Sequence, residues 1–274
     1  MDNQTILDTI DPEIAGRMTR RDALLRGAAL TSGAAATVAW ASMPLALATM
    51  AKGAFAQGGL PANIIAVLNF ALTLEYLEAE FYNRGAAAPG LIPAADFQIF
   101  DQIRKHENAH VNFLLSVLGN AAVPKPTFDF TAGNGSGNGP FVGVFSNYEI
   151  FKAVSQAFED TGVRAYKGQA PNLISNKAIL TAALRIHSVE ARHAAEVRKL
   201  RGVTPWIQGN QTDIPGTQMT YAGEENTVQL GIDLVALVRT TLPQFLILPE
   251  GIAAAFDEPL TAAQVLAIVD PFIV

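Results

Sequence analysis

Apolar and polar positions along the chain alternate with the period of amphipathic helices in four long stretches. The first runs from about Pro61 to Arg84, with proline at its start and Gly85 just past its end. A short turn from Gly85 to Pro93 leads to the second, about Ala95 to Leu118, which Gly119 and Asn120 close. The third spans about Tyr148 to Lys167 and the fourth about Leu173 to Arg201, stopping at Gly202. Between the second and third lies the longest irregular segment, about Ala121 to Asn147. Its glycine and asparagine run, Gly133 to Gly139, cannot be helical and reads as a mobile loop. Short, long and short connections predict two antiparallel hairpins joined by a crossover, an all-α four-helix bundle. After residue 202 the pattern weakens: Asn226 to Leu242 could form a fifth helix, and Thr261 to Val269 a short terminal one ended by Pro271.

The apolar stripes carry conspicuous exceptions. The second stretch reads Ile103, Glu107, His110, Leu114 and the fourth reads Ile186, Glu190, His193, Val197. Each contains Glu-x-x-His, and residues three apart share a helix face. With 4 histidines in 274 residues, roughly 0.2 such tetrads are expected by chance from the composition. The other two stretches supply Glu75 and Glu159 at matching places, followed two turns on by Tyr82 and Tyr166. The first hairpin maps onto the second with an offset of 84 residues for Glu75 and Tyr82 and 83 for the Glu-x-x-His pair. This reads as a duplicated helical hairpin.

Four buried carboxylates close together would be costly through desolvation and mutual repulsion. Two divalent cations remove that cost, because four glutamate charges balance two ions of charge +2. One glutamate from each of two helices, with Glu-x-x-His from each of the others, is the ligand set by which a helical bundle holds two metals. An oxygen-rich set with two imidazoles suits iron, or alternatively manganese. The candidate metal ligands are therefore Glu75, Glu107, His110, Glu159, Glu190 and His193. The competing assignment is an internal salt-bridge network with Arg104, Arg164, Arg185 or Arg192. Glu78, about 60° around the helix from Glu75, is the alternative ligand. His106 faces about 100° away from Glu107, at the surface or behind the ligands. His187 precedes Glu190 by one turn and reads as structural, while Tyr82 and Tyr166 are either core residues or hydrogen-bond partners of the ligands. Gly162 leaves room for a small oxidant or for a neighbouring helix.

Composition narrows the function. Half the residues are hydrophobic and 16% are charged, so a core forms easily. The net charge of −6 argues against a nucleic-acid partner. The absence of cysteine excludes disulfides, thiolate metal sites and iron–sulfur clusters. Arg20 and Arg21 stand ahead of an alanine-rich apolar stretch, Gly27 to Met50, with Ala54-Phe55-Ala56 after it. This looks like a twin-arginine signal peptide over residues 1–56, cleaved after Ala56 or, as a second candidate, after Ala48. A retained membrane anchor is the competing reading. The expectation is a periplasmic chain carried by the twin-arginine export machinery, with a bundle over 57–202 and an extension over 203–274. The first helix has a second apolar stripe, Phe70, Leu74, Leu77 and Phe81, which must be covered by that extension or by a second copy in a homodimer.

Residues 62–201 resemble the ferritin-like superfamily of dimetal carboxylate proteins. The segments Leu68 to Tyr82 and Glu190 to Ala195, and the ending Phe256 to Leu260 with Pro271-Phe272, resemble its exported bacterial branch, called ferritin-like or desiccation-related. The resemblance implies a ferritin-like fold with two bound metal ions on the six residues named above. It also implies redox chemistry with O2, peroxide or ferrous iron, as in ferroxidases or manganese catalases. The alternative is a non-catalytic envelope protein of the stress response whose metal is structural.

Overall fold

The computed structural model describes residues 59–242, 244 and 248–274. The signal segment expected over 1–56 lies outside the described residues. Four long helices dominate: α1 (Ala62–Ala87), α2 (Ala94–Leu118), α3 (Tyr148–Gln169) and α4 (Lys177–Leu200). The fold is an all-α helical bundle, as the periodicity predicts. α1 packs along α2 and α3 along α4, so each hairpin is a unit, and the two meet through α1 against α3 and α2 against α4.

Helix boundaries follow their local chemistry. α1 and α2 start directly after Pro61 and Pro93, where the missing N–H costs nothing. Asn147 caps α3 by accepting from the Glu149 and Ile150 backbone N–H groups. Asn176 caps α4 in the same way through Ile179. This cap moves the start of α4 to Lys177, because Ala170–Leu173 form a separate 3-10 turn.

The crossover differs from the expected mobile loop. Asp129 accepts from Thr131 N, Thr131 Oγ1 and Gly137 N at 2.6–3.0 Å, and the chain's last residues fasten its flanks. The Asp129 N–H donates to Phe272 O, Asn134 N–H to Pro271 O and Val274 N–H to Thr127 O. The glycines there supply left-handed backbone at Gly135 and Gly137, which lets the loop wrap Asp129 rather than dangle.

The extension also departs from one helix. Residues Val228–Gln229 (β1) and Ile232–Asp233 (β2) form a small antiparallel hairpin. Leu230 and Gly231, both with positive φ, make its turn. Asp233 then caps a shorter helix, Leu234–Thr241. The extension's main docking is along α3, through Gln218–Tyr221 and the terminal helix Ala262–Val269, rather than along α1. Gly168 makes this approach possible, since a Cβ there would stand 1.9 Å from Leu260 O. The C-terminal end of the second apolar stripe of α1 is covered from the crossover and α3, where Phe81 packs on Phe130, Phe145, Phe151 and Phe158. No helix among the described residues is long and apolar enough to cross a membrane.

Candidate metal centre

The six sequence-predicted residues converge between the four helices. Glu75, Glu107, Glu159 and Glu190 have no exposed surface, and His193 is buried. They form two overlapping groups: Glu75, Glu107, His110 and Glu190, and Glu107, Glu159, Glu190 and His193. Within each group the donor atoms lie within 4.8 Å of one another. Glu107 and Glu190, one from each hairpin, belong to both. His110 Nδ1 is 3.2 Å from oxygens of Glu75, Glu107 and Glu190. His193 Nδ1 is 2.8 Å from Glu107 Oε1 and 3.2 Å from Glu159 Oε2.

The two tyrosines are hydrogen-bond partners, and they cross over. Tyr82 on α1 donates to Glu159 on α3 at 2.5 Å, and Tyr166 on α3 donates to Glu75 on α1. Burial, reinforced by the neighbouring glutamates, holds both phenols well above the ordinary tyrosine range. They therefore stay neutral donors, each fixing one glutamate by a buried hydrogen bond.

Charge within the centre is badly balanced by the protein itself. Burial pushes Glu75 up to about 7, against the pull of His110. It raises Glu159, and it raises Glu190 well above the carboxylate range with help from the Glu107 charge. Glu107 alone goes down: burial opposes its ionisation, but His110 and His193 together outweigh burial. Both histidines rise despite burial because of the carboxylates facing them, Glu75 and Glu107 for His110, and Glu159 and Glu107 for His193. Three buried oxygens, Glu107 Oε1 and both of Glu190, have no hydrogen-bond partner at all. Glu107 Oε1 lies 2.8 Å from His193 Nδ1 and Glu190 Oε1 3.2 Å from His110 Nδ1, but both at angles that make no hydrogen bond.

The arginines that could have built a salt-bridge network are engaged elsewhere. Arg164 pairs with Glu224 of the extension at 2.7 Å, Arg198 with Asp160 at 2.6 Å and Arg104 with Asp101 at 2.6 Å. Arg185 and Arg192 are exposed. Among the described residues, no arginine or lysine reaches the central glutamates. Unpartnered buried oxygens beside imidazole nitrogens fit a pair of divalent cations, which would satisfy both the charge and the lone pairs. The donor set is the oxygen-rich, two-imidazole kind that suits iron or manganese.

Two neighbours go beyond the six. His106 is half-buried, stacks on His193 with ring centroids 5.1 Å apart, and places its Nδ1 2.8 Å from His193 Nε2. Its own Nε2 meets the Gln102 amide at 2.7 Å. The Gln102 amide nitrogen donates to His106 Nε2, and His106 Nδ1 meets His193 Nε2, which holds the His193 ring with Nδ1 toward the carboxylates. Spacing alone left His106 between surface and support, because its bond crosses from α2 to α4. Glu78 is also in the chamber and buried, although it joins neither group of four. His187 stays at the margin, half-buried, with Nδ1 unpaired.

The chain belongs to the ferritin-like domain family, whose sequence pattern matches residues 63–203. The matched segment covers α1 through α4 and contains every residue of the centre. No curated protein matches the chain.

Proposed function

We propose that this protein is a dimetal oxidoreductase in which Glu75, Glu107, His110, Glu159, Glu190 and His193 hold two ions of iron or manganese. The observation that carries this reading is the pair of overlapping four-donor groups built on Glu107 and Glu190, with buried oxygens that no arginine or lysine among the described residues neutralises. When bound, the ions supply one-electron chemistry toward O2, peroxide or ferrous iron. The residues do the rest. Tyr82 and Tyr166 lock Glu159 and Glu75 in place, and His106 holds the ring of His193. The apolar bundle around them excludes water, so each charge acts more strongly than it would at a surface.

Export is part of the proposal. Its support is the Arg20-Arg21 motif, the apolar stretch after it and the small residues at Ala54 and Ala56. The twin-arginine route carries folded cargo, so the centre would be filled before transport to the periplasm. Elemental analysis of protein recovered from its native host tests the centre, with two iron or manganese ions per chain expected. Peroxide removal and ferrous oxidation by the same sample test the redox role. A fully metallated protein inert in both assays would favour the structural, stress-related alternative, and a chain without metal would end the dimetal reading. N-terminal sequencing of the exported form should begin at Gln57.

A further inference from the structure

Glu78 has no counterpart in the second hairpin. Under the 84-residue offset that carries Glu75 to Glu159 and Tyr82 to Tyr166, position 78 falls on Gly162. The two positions meet in space. A Cβ on Gly162 would stand 3.3 Å from Glu78 Oε1 and 3.4 Å from Glu190 Oε2. The missing side chain on α3 thus opens a notch, and the carboxylate of its counterpart on α1 lies beside it together with an unpartnered oxygen of Glu190. Glu78 is 4% exposed, and among the described residues no arginine or lysine pairs with it.

We propose that Glu78 is the fifth carboxylate of the metal centre, giving it one negative charge more than two divalent ions balance and so favouring their higher oxidation state. This inference rests on the dimetal reading. Four carboxylates and two neutral imidazoles match two divalent ions, and a fifth leaves an excess charge in a chamber that excludes water. Without metal, burial and the neighbouring glutamates hold Glu78 well above the carboxylate range; a bound cation beside it would favour the ionised form. Bound redox-active ions would answer that excess by favouring the state in which one of them has given an electron to O2 or peroxide. The interaction is strong because the surroundings are poorly polarisable. Gly162 is what allows the arrangement, since a second glutamate, or any side chain at that point, would contend with Glu78 for the same space.

The test is a mediated redox titration of the full mature protein loaded with iron, alongside iron content per chain. Glu78→Gln keeps the shape and removes the charge. The expected result is a shift of at least tenfold toward ferrous iron at a fixed potential, which is about 59 mV for one electron. Loss of an ion from this variant would also support the assignment, by making Glu78 a required donor. Glu80→Gln, on the same helix but half-exposed and paired with Lys125, should move the ratio less than twofold. Two bound irons and an unchanged potential in Glu78→Gln would overturn the inference while leaving the dimetal reading intact. No iron in the wild-type protein would overturn both. Should Glu78→Gln fail to fold, Gly162→Ala serves instead. It strengthens the helix without metal, raising the melting temperature of the metal-free form, but crowds Glu78 and Glu190. At least threefold weaker iron binding is expected, and wild-type binding would count against the proposal.

Discussion

α1 and α3 hold equivalent places in the two hairpins, yet they reach burial by opposite means. On α1 the positions around Glu75 are Leu68, Leu72, Tyr76 and Leu77, and their counterparts on α3 are Lys152, Gln156, Asp160 and Thr161. The polar helix is nonetheless enclosed: from Phe151 to Tyr166 only Ala153 is not buried. The difference lies in the end of α4 and the extension. Asp160 accepts from Arg198 and Tyr221, Gln156 accepts from Arg201 and donates to Tyr221, and Arg164 donates to the carbonyls of Thr220, Ala222 and Glu258. Polar groups on α3 are paired rather than exposed, as buried polar groups must be. The ligand and tyrosine positions match between the two helices, while the positions flanking them differ where α3 takes the main docking of the extension.

The sharpest way to break this comparison is at Glu80 and Arg164, which correspond under the same offset. Arg164→Met leaves Glu224 buried without its partner, and should destabilise the protein by about 3–5 kcal/mol. The equivalent Glu80→Ala removes only a solvent-screened pair with Lys125 at 2.9 Å, worth under about 1 kcal/mol. Urea unfolding of both variants measures the contrast, and similar losses would mean that the extension does not depend on α3.

Next in size is the dependence on pH. The folded protein without metal holds Glu75 at about 7, and Glu224 is likewise raised to about 7 by burial, against the pull of Arg164. Glu159, Glu190 and both ligand histidines also have raised values. Each such group binds its proton more tightly folded than unfolded, so stability is greatest below the unfolded value and falls as pH rises through the folded one. The depressed Glu107 works the other way, but below about 4.5, its ordinary value. His106, held at about 4 by burial with His193 and His110 beside it, and His187, lowered by burial, oppose the trend below their ordinary value of 6.5. The metal-free form should therefore lose on the order of a few kcal/mol, chiefly between about pH 6.5 and 7.5. Two bound cations should remove this slope. Thermal melts with and without metal across that range check it, and a flat metal-free profile would mean the carboxylates are neutralised by something else.

The smallest effect distinguishes the two histidines. His193 rests on His106, but the counterpart of His106 on α4 is Val189, so His110 has no such support. His106→Leu should weaken metal affinity by about 10–100-fold. His106→Asn, whose amide can still hydrogen-bond His193 Nε2, should recover part of it. Competition with a chelator gives both numbers, and equal losses in the two variants would reduce His106 to packing.

Much of this architecture was legible in the chain before folding. The period of apolar residues marked four helices, because each long helix buries a continuous face. The repeated Glu-x-x-His placed two donors on that face by helix geometry alone, and the matching Glu75 and Glu159 completed a set whose burial has no cheap alternative. What failed to show was everything that depends on contact between distant segments. The Gly133–Gly139 loop reads as loose in sequence, and it is fastened only because Asp129 and the C-terminal residues meet it. Asn226 to Leu242 carries enough apolar residues for one helix, but Leu230 and Gly231 turn it into a hairpin before Asp233 restarts a helix. Glu78 and His106 matter because of Gly162 and His193, partners more than 80 residues away, and no local pattern encodes that distance. Sequence thus determined which side chains face inward, since helical periodicity is a local property. Tertiary structure decided which of them touch, since contact is a property of how the helices and the extension pack.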